Sequence, residues 1–265
     1  MTHRLILFSI CFLLWHGPAK PALGQAPQVQ TLNQVLGLEL FQDPWLWDDS
    51  AVETAGRLKW PKESETTETE SYRLYPRPGL RVLQTRPYSL ALYGRGTRVE
   101  RLSLVFANRG DHPGFRDKES YTRQAIQDFR LALERDMQLI QQQFTHLFGP
   151  PQRQSYGDGN IRERVWRNQH AFLLRSQQDA HVALTILPSS EADQAGRASK
   201  TVSDAEIRKI LRARVERRSN GDVIITDIPM VDQGPKGYCG PATWERYLRY
   251  LGIPADMYIL ANATQ

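Results

Sequence analysis

The sequence predicts an α+β protein built around a small β-β-α-β-β-β unit. Three observations carry this. Two β-rich runs, Leu80 to Leu92 and Thr97 to Asn108, meet at Gly94-Arg95-Gly96, which is hairpin turn chemistry. A long apolar stripe at helical spacing follows, and three more β-rich runs come after it. Composition permits a core: 40% of the 265 residues are hydrophobic and 24% charged. Such a balance excludes a collagen, a coiled-coil rod and a wholly disordered chain.

The elements follow in chain order. Residues 1–24 read as a secretory leader. Arg4 precedes an apolar run of 11 residues, Leu5 to Trp15, too short to span a bilayer. Pro18 and Pro21 break the run, and Ala22-Leu23-Gly24 offers the small residues a leader peptidase needs. A retained anchor is the alternative. Either way the remainder crosses the membrane, to be secreted or to reside in the periplasm or cell envelope. No stable membrane span is expected once the leader is gone. The net charge is +5, or +3 without Arg4 and Lys20 of the leader. With no concentrated basic arm, a nucleic-acid partner is not expected. Cys11 lies in the leader, so Cys239 is the one cysteine beyond it. A lone free thiol in an exported chain needs a reason.

Residues 25–71 read as an irregular segment ending in an acidic linker. Trp45, Trp47 and Trp60 suit packing onto a neighbour better than an aromatic platform. Lys62 to Ser71 (KESETTETES) is nearly free of apolar groups, the pattern of a solvated linker. The α+β accessory domain then occupies 72–188. Its Asn108 to Gly114 stretch is a turn cluster, and the RGD within it reads as turn rather than adhesion motif. A helix should run from about Ser120 to Phe148. Ile126, Phe129, Leu133, Met137, Ile140, Phe144 and Leu147 form its single stripe. Gly149, Pro150 and Pro151 stop it. Strands are expected at Arg162 to Asn168, His170 to Ser176 and His181 to Leu187, the last two pairing across Gln177 to Ala180. His146, His170 and His181 have no metal-ligand partners at suitable spacing, so they read as structural or surface groups. A binding or spacing role suits this unit.

Residues 189–219 combine a linker with a basic helix. Ser203 and Glu206 make a capping box. Ile207, Ile210, Leu211 and Val215 occupy one side; Arg208, Lys209, Arg212, Arg214, Arg217 and Arg218 cover the rest. A solvated connecting helix is favoured over one that binds an anionic surface.

Chemistry gathers in residues 220–265. A short β-rich run, Val223 to Ile225, leads to a Gly/Pro-punctuated loop, Gln233 to Gly237. A helix begins at Cys239, with Pro241 in its first turn. Trp244, Tyr247, Leu248 and Leu251 recur at helical spacing and predict a buried face. Gly252 and Pro254 end the helix. A cysteine at a helix start meets unpaired N–H groups and partial positive charge, which favour thiolate over thiol. Gln233, six residues earlier, offers a carboxamide donor for an oxyanion hole, with the Cys239 N–H as the second donor.

The run Ile228-Pro229-Met230, Gln233, Cys239-Gly240-Pro241-Ala242 and Tyr250-Leu251-Gly252-Ile253-Pro254 resembles the start of the family-thirty-nine cysteine peptidases. These are papain-like enzymes, best known from exporters that cut double-glycine leader peptides. The resemblance covers about residues 227–260 and implies the start of a papain-like cysteine peptidase domain. It makes Cys239 the nucleophile and Gln233 an oxyanion donor, with a peptide or protein as substrate. No metal or organic cofactor is implied.

One departure stands beside the match. His3, His16, His112, His146, His170 and His181 all precede Cys239, and a thiol peptidase needs a base. Truncation of the domain is the first expectation; completion of the site by His170 or His181 is the second. The alternatives in function are an inactive papain-like module that binds peptide and a transglutaminase-like acyltransferase.

Overall fold

The computed structural model describes residues 29–43, 45–115, 120–156, 161–193 and 202–262. The leader expected over residues 1–24 lies outside these. The chain is α+β, and its centre is one antiparallel sheet of eight strands. The strands are β1 (Lys62–Glu65), β2 (Thr69–Leu74), β3 (Ser89–Arg95), β4 (Arg98–Asn108), β5 (Gln152–Tyr156), β6 (Ile161–Arg167), β7 (His170–Gln177) and β8 (His181–Pro188). Their order is β1-β2-β3-β4-β8-β7-β6-β5.

The sheet is larger than the β-β-α-β-β-β unit expected from sequence. The acidic run read as a linker is the hairpin β1–β2, and Gln152–Tyr156 adds a strand at the far side. Both additions sit at an edge. Edge strands carry charged and polar residues because an apolar edge would pair with other chains, so hydrophobic content alone misses them.

Side chains alternate between the two faces of the sheet. One face holds Leu90, Leu92, Leu104, Phe106, Phe172, Leu184 and Ile186, all fully buried. Helix α3 (Arg123–Phe148) crosses it and buries Phe129, Leu133, Met137, Ile140 and Phe144 of the expected stripe. Thr122 caps its start, accepting from the Ala125 N–H, and Gly149 ends it at φ +81°. Two short helices cover the rest, α1 (Val29–Leu36) and α2 (Ala51–Leu58). They replace the irregular segment expected there. Trp47 and Trp60 are buried while Trp45 is exposed.

The opposite face receives the C-terminal part of the chain. Helix α5 (Cys239–Tyr250) and the short helix α6 (Met257–Leu260) pack on Val105 and Ala183 through Ala242, Met257, Tyr258 and Ala261. Helix α4 (Asp204–Ala213) has its Ser203 cap, accepting from the Glu206 N–H, and buries none of its residues. A small hairpin, β9 (Val215–Arg217) and β10 (Val223–Ile225), follows. Among the described residues no helix is long and apolar enough to cross a membrane.

Candidate functional site

Cys239 is the first residue of α5 and is exposed. The first helical donor is the Ala242 N–H, which reaches the Tyr238 carbonyl at 2.8 Å. The N–H groups of Cys239 and Gly240 therefore have no acceptor within the helix, and Pro241 has no donor. The first turn contains no acidic residue, and no side chain caps the helix start. Partial positive charge at this end is left for an anion to meet.

The loop before it is held from below. Gly234 has φ +67°, and a Cβ there would lie 2.4 Å from the Tyr75 ring. Only glycine lets the backbone press so closely on that ring. Gly237 is also left-handed, at φ +68°. Lys236 is paired with Asp111, the last residue of the RGD sequence. Asp111 is buried, so that tripeptide is not displayed as an adhesion motif. Tyr238 is buried and meets the Tyr258 ring edge-on, with centroids 5.0 Å apart. Gln233 begins the 3-10 turn Gly234–Lys236 and is exposed. Both expected site residues thus reach solvent on one short loop. Among the described residues no hydrogen bond joins the Cys239 thiol or the Gln233 carboxamide to another side chain.

The two histidines weighed as partners differ in position. His170 shares the α3 face with Phe172 and accepts from Trp47 Nε1 at 3.1 Å; it is opposite α5. His181 shares the α5 face with Ala183. It is buried, its Nδ1 has no hydrogen-bond partner, and burial pushes its pKa down to about 4. No hydrogen bond connects it to Cys239. Among the described residues no group of three His, Cys, Asp or Glu could hold a metal ion.

The buried face of α5 is not the one its apolar spacing predicts. Trp244 is 52% and Tyr247 56% exposed, whereas Ala242, Glu245 and Tyr250 are buried. The cause is a charge cluster around Arg73 of β2, which is 1% exposed. Arg73 pairs with Glu63. It also donates to Asp256 at 3.3 Å, Glu245 at 3.4 Å, the Tyr93 hydroxyl at 3.0 Å and the Ser89 hydroxyl at 2.6 Å. Glu245 in turn accepts from the Met257 N–H at 2.7 Å and from Arg249 at 3.3 Å. Asp256 caps α6 through the Tyr258 N–H at 2.9 Å. A buried guanidinium needs carboxylates around it, and this requirement turns Glu245 inward and leaves the two aromatics outside.

The cluster is tightly coupled. Burial, helped by Glu63 and opposed by Arg73, pushes Glu245 up to about 7. Burial also acts to raise Asp256, but Arg73 and the Ser103 hydroxyl hold it below the usual carboxylate range. Sequence reasoning missed this group because Glu63 and Arg73 fall in or beside a polar run. The one available signal was Arg73 standing between Tyr72 and Leu74 in a strand-like pattern.

Comparison with protein-family models, curated proteins and solved structures finds no match to the chain.

Proposed function

We propose that the chain carries the nucleophile of a papain-like thiol hydrolase acting on peptide or amide bonds, delivered across a membrane by its leader. The observation that carries the proposal is an exposed thiol on the first residue of a helix whose leading N–H groups lack acceptors. The Cys239 thiolate attacks the carbonyl carbon and forms a tetrahedral oxyanion. That oxyanion takes hydrogen bonds from the Cys239 N–H and the Gln233 carboxamide. The C–N bond then breaks, the amine leaves with a proton from the base, and water hydrolyses the thioester left on Cys239. A thiol hydrolase also needs a base beside its nucleophile, and among the described residues no histidine bonds to Cys239.

A peptide-binding module without turnover is the second reading. The exposed Ile228, Met230, Trp244 and Tyr247 favour it, since they offer apolar contacts near the same helix.

Alkylation by iodoacetamide at about pH 6, followed by mass spectrometry, tests the nucleophile. Cys239 should react at least about tenfold faster than free cysteine; equal rates overturn the proposal. Gln233→Ala should lower turnover by about 10²–10³-fold with an unchanged melting temperature. Unchanged turnover removes Gln233 from the oxyanion hole.

A further inference from the structure

Beside the Cys239 loop the surface sinks into two adjoining cavities of about 260 and 360 Å³, which share Arg86, Tyr88 and Pro113. The smaller is lined by Tyr75, Pro76, Pro87 and Tyr88 and also by Lys236. Lys236 stands three residues before Cys239. The larger runs towards α3 and carries Arg81, Arg86 and Arg135.

Most charges in this groove already have partners. Lys236 pairs with Asp111, and Arg135 bonds Asp136 at 2.9 Å. Asp128 accepts from Gln124 at 2.7 Å and lies near His112. Arg81 and Arg86 are different. Both are exposed, and neither makes a hydrogen bond or ion pair among the described residues, although Arg81 lies near enough to Asp136 to act on its charge. Arg86 sits 5.8 Å from the centroid of the Tyr88 ring. Two open guanidinium forks suit two carboxylates. The tyrosine and proline rings of the wall match the flat apolar surface of a peptide. The groove has the volume of a ligand pocket rather than an ion site.

We propose that this groove binds an acidic peptide segment, with its carboxylates on Arg81 and Arg86 and its backbone along the tyrosine–proline wall on the Lys236 side of the Cys239 loop. This deepens the hydrolase proposal by naming a substrate class; cleavage rests on that proposal, and binding does not.

The experiment uses the Cys239→Ser chain, which cannot form a thioester. A fluorescein-labelled octapeptide of alternating glutamate and alanine is titrated by fluorescence polarisation. Binding should weaken about tenfold or more in Arg81→Ala/Arg86→Ala, and also on raising salt from about 50 to about 300 mM. The lysine–alanine counterpart should not bind. Both arginines are exposed, so the double variant should melt with its parent; Arg81→Gln/Arg86→Gln replaces it if it does not. Three outcomes overturn the proposal: no binding, equal binding by the double variant, or displacement by inorganic phosphate as effectively as by unlabelled peptide. Failure of Cys239 to react with iodoacetamide leaves these measurements standing and overturns the hydrolase alone.

Discussion

Arg73→Met removes the cation that joins three carboxylates from three parts of the chain. Glu63 lies on β1, Glu245 on α5 and Asp256 at the start of α6, and all are buried. Breaking a buried pair by deleting one partner costs about 3–5 kcal/mol, because the remaining charge has neither water nor counter-ion. Arg101 lies close to Asp256, and Arg249 holds Glu245, so the loss belongs near that range rather than at three times it. At about 2–4 °C per kcal/mol for a chain of this size, the melting temperature should fall by about 6–20 °C at pH 8. The residual penalty comes from ionised carboxylates, so protonation relieves it, and the loss should be clearly smaller at pH 5. Scanning calorimetry at the two pH values measures both. Hydrogen exchange over residues 239–262 should rise with the loss. Adding Glu63→Gln and Glu245→Gln should recover most of the stability. A fall below about 2 °C at pH 8, or an equal fall at both pH values, refutes the assignment of Arg73 as the tie between sheet and C-terminal segment.

Glu245 gives a signed pH dependence. Its folded pKa of about 7 lies above the unfolded value of about 4.3, so the folded state keeps its proton longer. This group's contribution to stability is therefore full below the unfolded value, declines as pH rises towards 7 and is flat above. Glu245→Gln should abolish that slope in calorimetry between about pH 4.5 and 8, and a slope that survives the substitution rejects it. Gly234→Ala forces φ +67° on a residue with a Cβ and drives that atom into the Tyr75 ring. A loss of about 1–3 kcal/mol is expected. Tyr75→Ala in the same chain should restore only the steric share; a Gly234→Ala protein that melts with the parent refutes the close approach.

The parts of the fold written in periodicity were legible. The α3 stripe needed no tertiary information, because seven apolar residues at steps of three or four leave one burial direction. The turn of the central hairpin was legible at Gly96, but its first strand is Ser89–Arg95 rather than Leu80 to Leu92, so Gly94 lies within the strand. The β1–β2 hairpin was not, because Glu63, Ser64, Ser71 and Arg73 are polar by type yet buried in position. The burial of Arg73 depends on partners as distant in sequence as Glu245 and Asp256, which no local window contains. Of the candidate site, the helix start at Cys239 and the loop before it could be read. The groove of Arg81 and Arg86 could not, since it forms only where the Leu80 to Tyr88 segment meets α3 and Lys236.

The rotation of α5 decides what its two sides can do. Trp244 and Glu245 are neighbours in sequence and so lie about 100° apart around the helix; only one can point at the sheet. Burying Trp244 would gain about 2–3 kcal/mol of apolar transfer. Withdrawing Glu245 would strip Arg73 and the Met257 N–H of an acceptor, at about 3–5 kcal/mol for the ion pair alone. The charge cluster therefore wins, and the aromatics stay outward by necessity. The proposed thiol hydrolase gains from that choice. Its first turn is fixed in place by the buried side, and the Cys239 thiol stays open to solvent.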